Sequence, residues 1–148
     1  MTEWTPWIAN FGEGYIEVTL DPPPENTVCV SITEPKRQAK IPKGYVDVLR
    51  LEFQDYDPPR KHPDNAVLFD RMMAARLSRF ARRHRGRNIL VHCAAGISRS
   101  GGVVEALLEA FPEYEDRGWP RYPNNHVKTL LKRALGLVTI GAEEEESE

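Results

Sequence analysis

The passage that most limits what this chain can become runs from Asn88 to Ala110. Asn88-Ile89-Leu90-Val91-His92 is a compact apolar run bounded by polar residues, which predicts a buried strand. Cys93-Ala94-Ala95-Gly96-Ile97-Ser98 follows as a turn, and from Arg99 the spacing of Val103, Val104, Leu107 and Leu108 predicts a helix to about Ala110. A strand that feeds through a short turn into a helix is half of a parallel strand–helix–strand unit, and such units build sheets covered by helices.

The rest of the chain can be read for the other half. Thr27 to Thr33 is short, β-branched and bounded by turn residues, hence a strand. Tyr45 to Phe53 alternates apolar and polar residues and is the next strand. Gln54 to Pro63 is a breaker-rich loop, after which Asp64 is expected to cap a helix reaching about Arg83, with Leu68, Phe69, Met72, Met73, Leu77 and Phe80 on its apolar face. Gly86 ends that helix, and Asn124 begins a last one through Val127, Leu130, Leu131 and Leu135. The first 26 residues are poorly patterned. Within them Tyr15, Ile16, Val18 and Leu20 suit a strand over Gly14–Leu20, and the three prolines after Asp21 demand a loop. The expectation is an α/β chain with a single domain over residues 1–140, a central, mostly parallel sheet flanked by helices, and an acidic, disordered tail over 141–148.

At 148 residues, 41% hydrophobic and 28% charged, the chain suits one globular domain. It contains no apolar run of membrane-spanning length, and its N-terminus has neither the basic start nor the apolar core of a secretory signal. Two cysteines, Cys29 and Cys93, make no disulfide framework, and no Cys/His spacing suits zinc, so a reducing, cytoplasmic setting without metal or cofactor is expected. Charge is unevenly spread. Removing Glu143, Glu144, Glu145, Glu146 and Glu148 from a formal net charge of −2 leaves a body of +3. Residues 71–100 carry eight arginines and no acid, a field that favours anionic partners.

Ligands of parallel sheets bind beyond the carboxyl ends of the strands, which draws attention to residues 93–99. Successive N–H groups in such a turn converge on its centre, and the helix opened by Arg99 adds its positive end. The donors that bind an oxyanion there also favour a thiolate over a thiol. Gly96 suits a position where φ is positive, and Arg99 offers a planar fork for two phosphate oxygens. Ala94, Ala95 and Ile97 carry no side-chain charge, so the loop N–H groups, from Cys93 through Ser98, and Arg99 would hold the anion.

His92-Cys93-Ala94-Ala95-Gly96-Ile97-Ser98-Arg99-Ser100 resembles the signature of the cysteine-dependent protein tyrosine phosphatase superfamily, and its Gly-Ile-Ser-Arg-Ser ending resembles the dual-specificity branch. The resemblance is strongest from Tyr45 to about Ala110. It implies that Cys93 attacks phosphorus, that Arg99 and the loop stabilise the transferring oxygens, that His92 orients and helps acidify the cysteine, and that Ser100 stabilises the departing thiolate. It also implies a general acid on the loop after the preceding strand. That loop holds Asp55 and Asp57; Asp55 fits best by its distance from the strand end, and Asp57 is its rival.

The implied substrates are phosphorylated proteins or small phosphate esters. The loop has no lysine beside the cysteine, which argues against a highly anionic inositol phosphate. Two other readings stand beside this one. An RNA 5′-triphosphatase would use the same loop and draw on the Arg-rich helix, and a phosphate-binding module would keep the loop without turnover. A sulfur-transfer domain fits less well, since Arg99, Ser100 and the Asp loop would have no role. Cys29 reads as core, with a redox pairing to Cys93 as the alternative. His62, His84 and His126 read as solvated or loop residues. Trp119 to Pro123 either walls the pocket or covers a sheet edge.

Overall fold

The computed structural model describes residues 4–137; the acidic segment lies outside the described residues. Five parallel strands form one sheet in the order β3-β2-β4-β1-β5: β1 is Trp7–Gly12, β2 Thr27–Thr33, β3 Val48–Glu52, β4 Asn88–Cys93 and β5 Glu115–Asp116. The described residues also form three α-helices, α1 (Arg71–Arg83), α2 (Arg99–Ala110) and α3 (Asn125–Ala134). The fold is α/β, as the strand–turn–helix pattern predicts.

The main core lies on one face of the sheet. Ile8, Val28, Val30, Ile32, Leu51, Ile89 and Val91 meet Leu77 and Phe80 of α1, Val103, Val104 and Leu107 of α2, and Val127 and Leu131 of α3. All three α-helices therefore share that face. On the opposite face, among the described residues, Cys29 and Leu90 pack against Ile16, with Trp7, Phe11, Leu20, Ile41 and Tyr45 around them and no α-helix. Ile16 belongs to a π-helical turn, Tyr15–Thr19.

That turn corrects the strand expected over Gly14–Leu20. The local alternation is present, yet Val18 is 79% exposed and only Ile16 is buried, so one side chain rather than a strand face meets the sheet. The strand of this region is β1, immediately upstream. It lies between β4 and β5, which is why Ile8, Ala9 and Asn10 are all fully buried and no alternation shows in the sequence. A second correction concerns α1. Asp64 does not cap it; Asp70 does, accepting a hydrogen bond from the Met73 N–H at 2.8 Å. The apolar Leu68 and Phe69 fit the helical period but precede the cap, and Phe69 packs on Phe53 with ring centroids 5.1 Å apart. The strand expected from Tyr45 begins at Val48; the Val46 N–H already bonds Thr27 O at 2.9 Å.

Candidate active site

β4 delivers Cys93 to the carboxyl edge of the sheet, beside Gly12 at the end of β1. The loop that follows is fastened from outside by its carbonyls. Asn10 Nδ2 donates to Gly96 O at 2.6 Å, Glu13 N to Ala94 O at 3.2 Å, and the N–H groups of Gly102 and Asn124 both donate to Ser98 O at 2.9 Å. A loop whose carbonyls are bound outward turns its N–H groups toward its own centre. Gly96 makes the curve possible. Its φ is +77°, and a Cβ there would lie 2.4 Å from Gly12 N and from the Phe11 carbonyl carbon, so only glycine lets the loop lie against the β1 backbone.

Cys93 is 2% exposed, and its Sγ lies 3.2 Å from Ser100 Oγ, in the first turn of α2. Arg99 is 5% exposed: Nη1 donates to Phe53 O at 2.8 Å and lies 3.5 Å from Glu34 Oε1, while its buried Nε has no acceptor among the described residues. A charged donor group buried with one N–H unspent costs free energy unless an anion completes it. Ala94, Ala95 and Ile97 are exposed around the loop and Gly96 is buried beneath it.

His92 is fully buried, with Nε2 2.6 Å from Ser31 Oγ and Nδ1 without a partner among the described residues. Burial pushes its pKa down to about 4, against the raising influence of the Glu13 carboxylate. It is therefore neutral at physiological pH and offers Cys93 position rather than charge. Glu13 is held below the usual carboxylate range by its two-pronged pairing with Arg37.

The two aspartates of the upstream loop are separated by their partners. Asp55 Oδ1 accepts from Ser98 Oγ at 2.8 Å and from Asn124 Nδ2 at 2.9 Å, so it faces the anion loop. Asp57 turns away. Its carboxylate takes the N–H groups of Asn125 (3.2 Å) and His126 (3.0 Å), the first turn of α3. Asn124 ties these parts together: its Oδ1 caps α3 through the Val127 N–H, and its Nδ2 holds both Asp55 and Tyr56 O.

Three positioning residues, Asn10, Glu34 and Asn124, escape the sequence reading of the site. Asn124 carries a signal as a helix cap, but its second role depends on a loop 69 positions away. Asn10 sits within an unrecognised strand; the apolar run Trp7-Ile8-Ala9 between Pro6 and Gly12 was the available cue. Glu115 and Asp116 pair with β1 as an edge strand; within Trp119 to Pro123, Trp119 lies over Gly12 with its ring 5.4 Å from Phe11 and 5.2 Å from Tyr15.

Cys29 and Cys93 do not pair. Cys29 stands opposite Leu90 in the β2–β4 register and belongs to the small cluster, Cys93 to the helix-covered core, so their side chains leave opposite faces of the sheet. Burial raises the Cys29 thiol to about 12, which suits a core residue. Among the described residues no group of three His, Cys, Asp or Glu side chains is placed to hold a metal ion, and no helix is long and apolar enough to cross a membrane.

No family model and no curated protein matches this chain. Fold and geometry define it as a parallel α/β domain with a cysteine–arginine loop at the carboxyl edge of its sheet.

Proposed function

We propose that this domain is a metal-independent phosphatase that hydrolyses phosphate monoesters through a cysteinyl-phosphate intermediate. The observation that carries the reading is Arg99, a buried guanidinium with an unsatisfied Nε at the rim of a loop that begins at a cysteine. A bound phosphoryl oxygen would satisfy it.

In the first step the Cys93 thiolate attacks phosphorus; the S–P bond forms as the P–O ester bond breaks, and Asp55 gives its proton to the leaving oxygen. Arg99 and the loop N–H groups from Ala94 to Ser98 stabilise the three equatorial oxygens. In the second step water attacks phosphorus while Asp55 takes its proton. The S–P bond then breaks, and Ser100 donates to the returning thiolate across the 3.2 Å contact. His92 holds its place through Ser31. Asp55 is preferred to Asp57 because Asp57 is committed to α3. The substrates are phosphotyrosine-bearing proteins in the first place, with phosphoserine and phosphothreonine second, in a reducing compartment such as the cytoplasm that keeps Cys93 a thiol.

The test is turnover of p-nitrophenyl phosphate in EDTA by wild type and Cys93→Ser. Turnover by wild type that Cys93→Ser abolishes supports the proposal. A folded wild type without turnover overturns it; phosphate-ester binding would then indicate a binding module, and γ-phosphate release from triphosphorylated RNA a triphosphatase.

A further inference from the structure

A cavity of about 280 Å³ opens at the other end of the sheet, between α1 and the edge strand β3. Arg76, Arg79 and Arg83 line one side, at helical spacings that put them on one face of α1, and Asp47, Val48, Leu49 and Phe80 line the rest. Asp47 is already engaged: it accepts from the Val48 N–H and from His84 Nε2, both at 2.9 Å, and lies 3.8 Å from Arg83 Nη1. Arg76 and Arg79 are exposed and, among the described residues, have no carboxylate within 4.0 Å. Val48 is 36% exposed on the open edge.

We propose that this groove docks an extended, acidic segment of a partner polypeptide. Charge complementarity supplies the first argument, since two arginines stand without a counter-ion among the described residues, beside an aspartate already engaged by His84 and Arg83. Spacing supplies the second. Side chains on one face of an extended chain recur about every 7 Å, close to the ~5–6 Å between helix residues three or four apart. An edge strand also offers backbone donors and acceptors alternating at the register an incoming polypeptide strand presents. Among the described residues the groove offers no exposed aromatic ring for base stacking, because Phe80 is 4% exposed and its ring lies 4.8 Å from His84. β3 leads from the groove toward Phe53, whose carbonyl holds Arg99, and five residues of strand span roughly 17 Å. On the phosphatase reading, an acidic segment docked here belongs to a phosphorylated substrate.

The experiment measures anisotropy of a fluorescein-labelled, unphosphorylated peptide of alternating Glu and Val with the full chain, its Arg76→Glu/Arg79→Glu variant and an Arg71→Glu control. Two reversed charges are expected to weaken binding about tenfold, with a salt-dependent affinity that the control retains. Equal binding by wild type and the double variant overturns the proposal. So does tighter binding of a single-stranded oligonucleotide of equal charge. A gain in peptide affinity when the five glutamates of 143–148 are changed to Gln also overturns it, assigning the groove to the chain's own tail. In a second arm the double variant is expected to lower kcat/KM for a phosphotyrosine peptide carrying the same acidic segment while leaving p-nitrophenyl phosphate turnover unchanged. Peptide binding that depends on Arg76 and Arg79, without any turnover, leaves the docking site standing and removes only the phosphatase.

Discussion

The Ser98 hydroxyl donates to Asp55 Oδ1 at 2.8 Å, joining the loop that carries the acid to the loop that carries the cysteine across 43 positions of sequence. Asp57, two residues on, is spent on the first turn of α3. Asp55→Asn is expected to lower kcat for p-nitrophenyl phosphate by about 10²-fold or more, the usual worth of a general acid, and to remove the high-pH limb of the rate profile. Asp57→Asn is expected to keep turnover near wild type and to lose about 1 kcal/mol of stability from the α3 terminus. Rate profiles and urea melts of the two variants decide the assignment; reversed phenotypes would make Asp57 the acid.

Gly96 tests whether the loop's curvature is required. Alanine there adds a left-handed residue and drives its Cβ into the β1 backbone, for an expected loss of about 2–4 kcal/mol. Gly86 is the control, with φ of +101° and open space around a Cβ, so Gly86→Ala is expected to cost only about 1 kcal/mol. Urea midpoints report both. Tungstate, a tetrahedral oxyanion, is expected to stabilise wild type and Gly86→Ala but not Gly96→Ala.

Asn124 separates capping from positioning. Asn124→Ala removes the α3 cap and the donor to Asp55 and Tyr56, for an expected loss of about 1–2 kcal/mol together with slower turnover. Asn124→Ser keeps a capping oxygen but is too short to reach Asp55. Serine is therefore expected to restore most of the stability and little of the rate. Recovery of both would reduce Asn124 to a cap.

The parts of the fold legible in the sequence are those with one clear period. Thr27–Thr33, Asn88–His92 and the helix from Arg99 each state their own structure, and the strand–turn–helix order around Cys93 implies a parallel sheet. β1 was harder to see because its apolar run, Trp7-Ile8-Ala9, is cut short by the polar Asn10, and the head of α1's apolar pattern ran past its true cap into Phe69. At the site, the contiguous loop could be read residue by residue. Asn10, Glu34 and Asn124 could not, since each reaches the loop only through the sheet register or the docking of α3.

His92 makes the stability of the domain depend on pH. Its pKa is about 4 in the folded chain and 6.5 when exposed, so below pH 6.5 the unfolded chain binds a proton that the folded chain does not. Stability is then full above pH 6.5 and is lost as pH falls toward 4, by up to about 1.4 kcal/mol per pH unit and on the order of 3 kcal/mol in all. Glu13, Asp47, Glu113 and Asp116, whose pKa values are lowered by arginine or histidine partners, lose their contributions at more acid pH, as it falls through the carboxylate range and below. The interval from pH 6.5 to 5 therefore lies above the carboxylates, and comparison with a His92 variant isolates this one of the four histidines. Urea melts across that interval are expected to show a falling midpoint in wild type and a nearly flat one in His92→Gln, whose amide can still meet the Ser31 hydroxyl. A wild-type midpoint that stays level to pH 5 would mean that His92 accepts its proton within the fold, and it would then stand beside Cys93 as a cation.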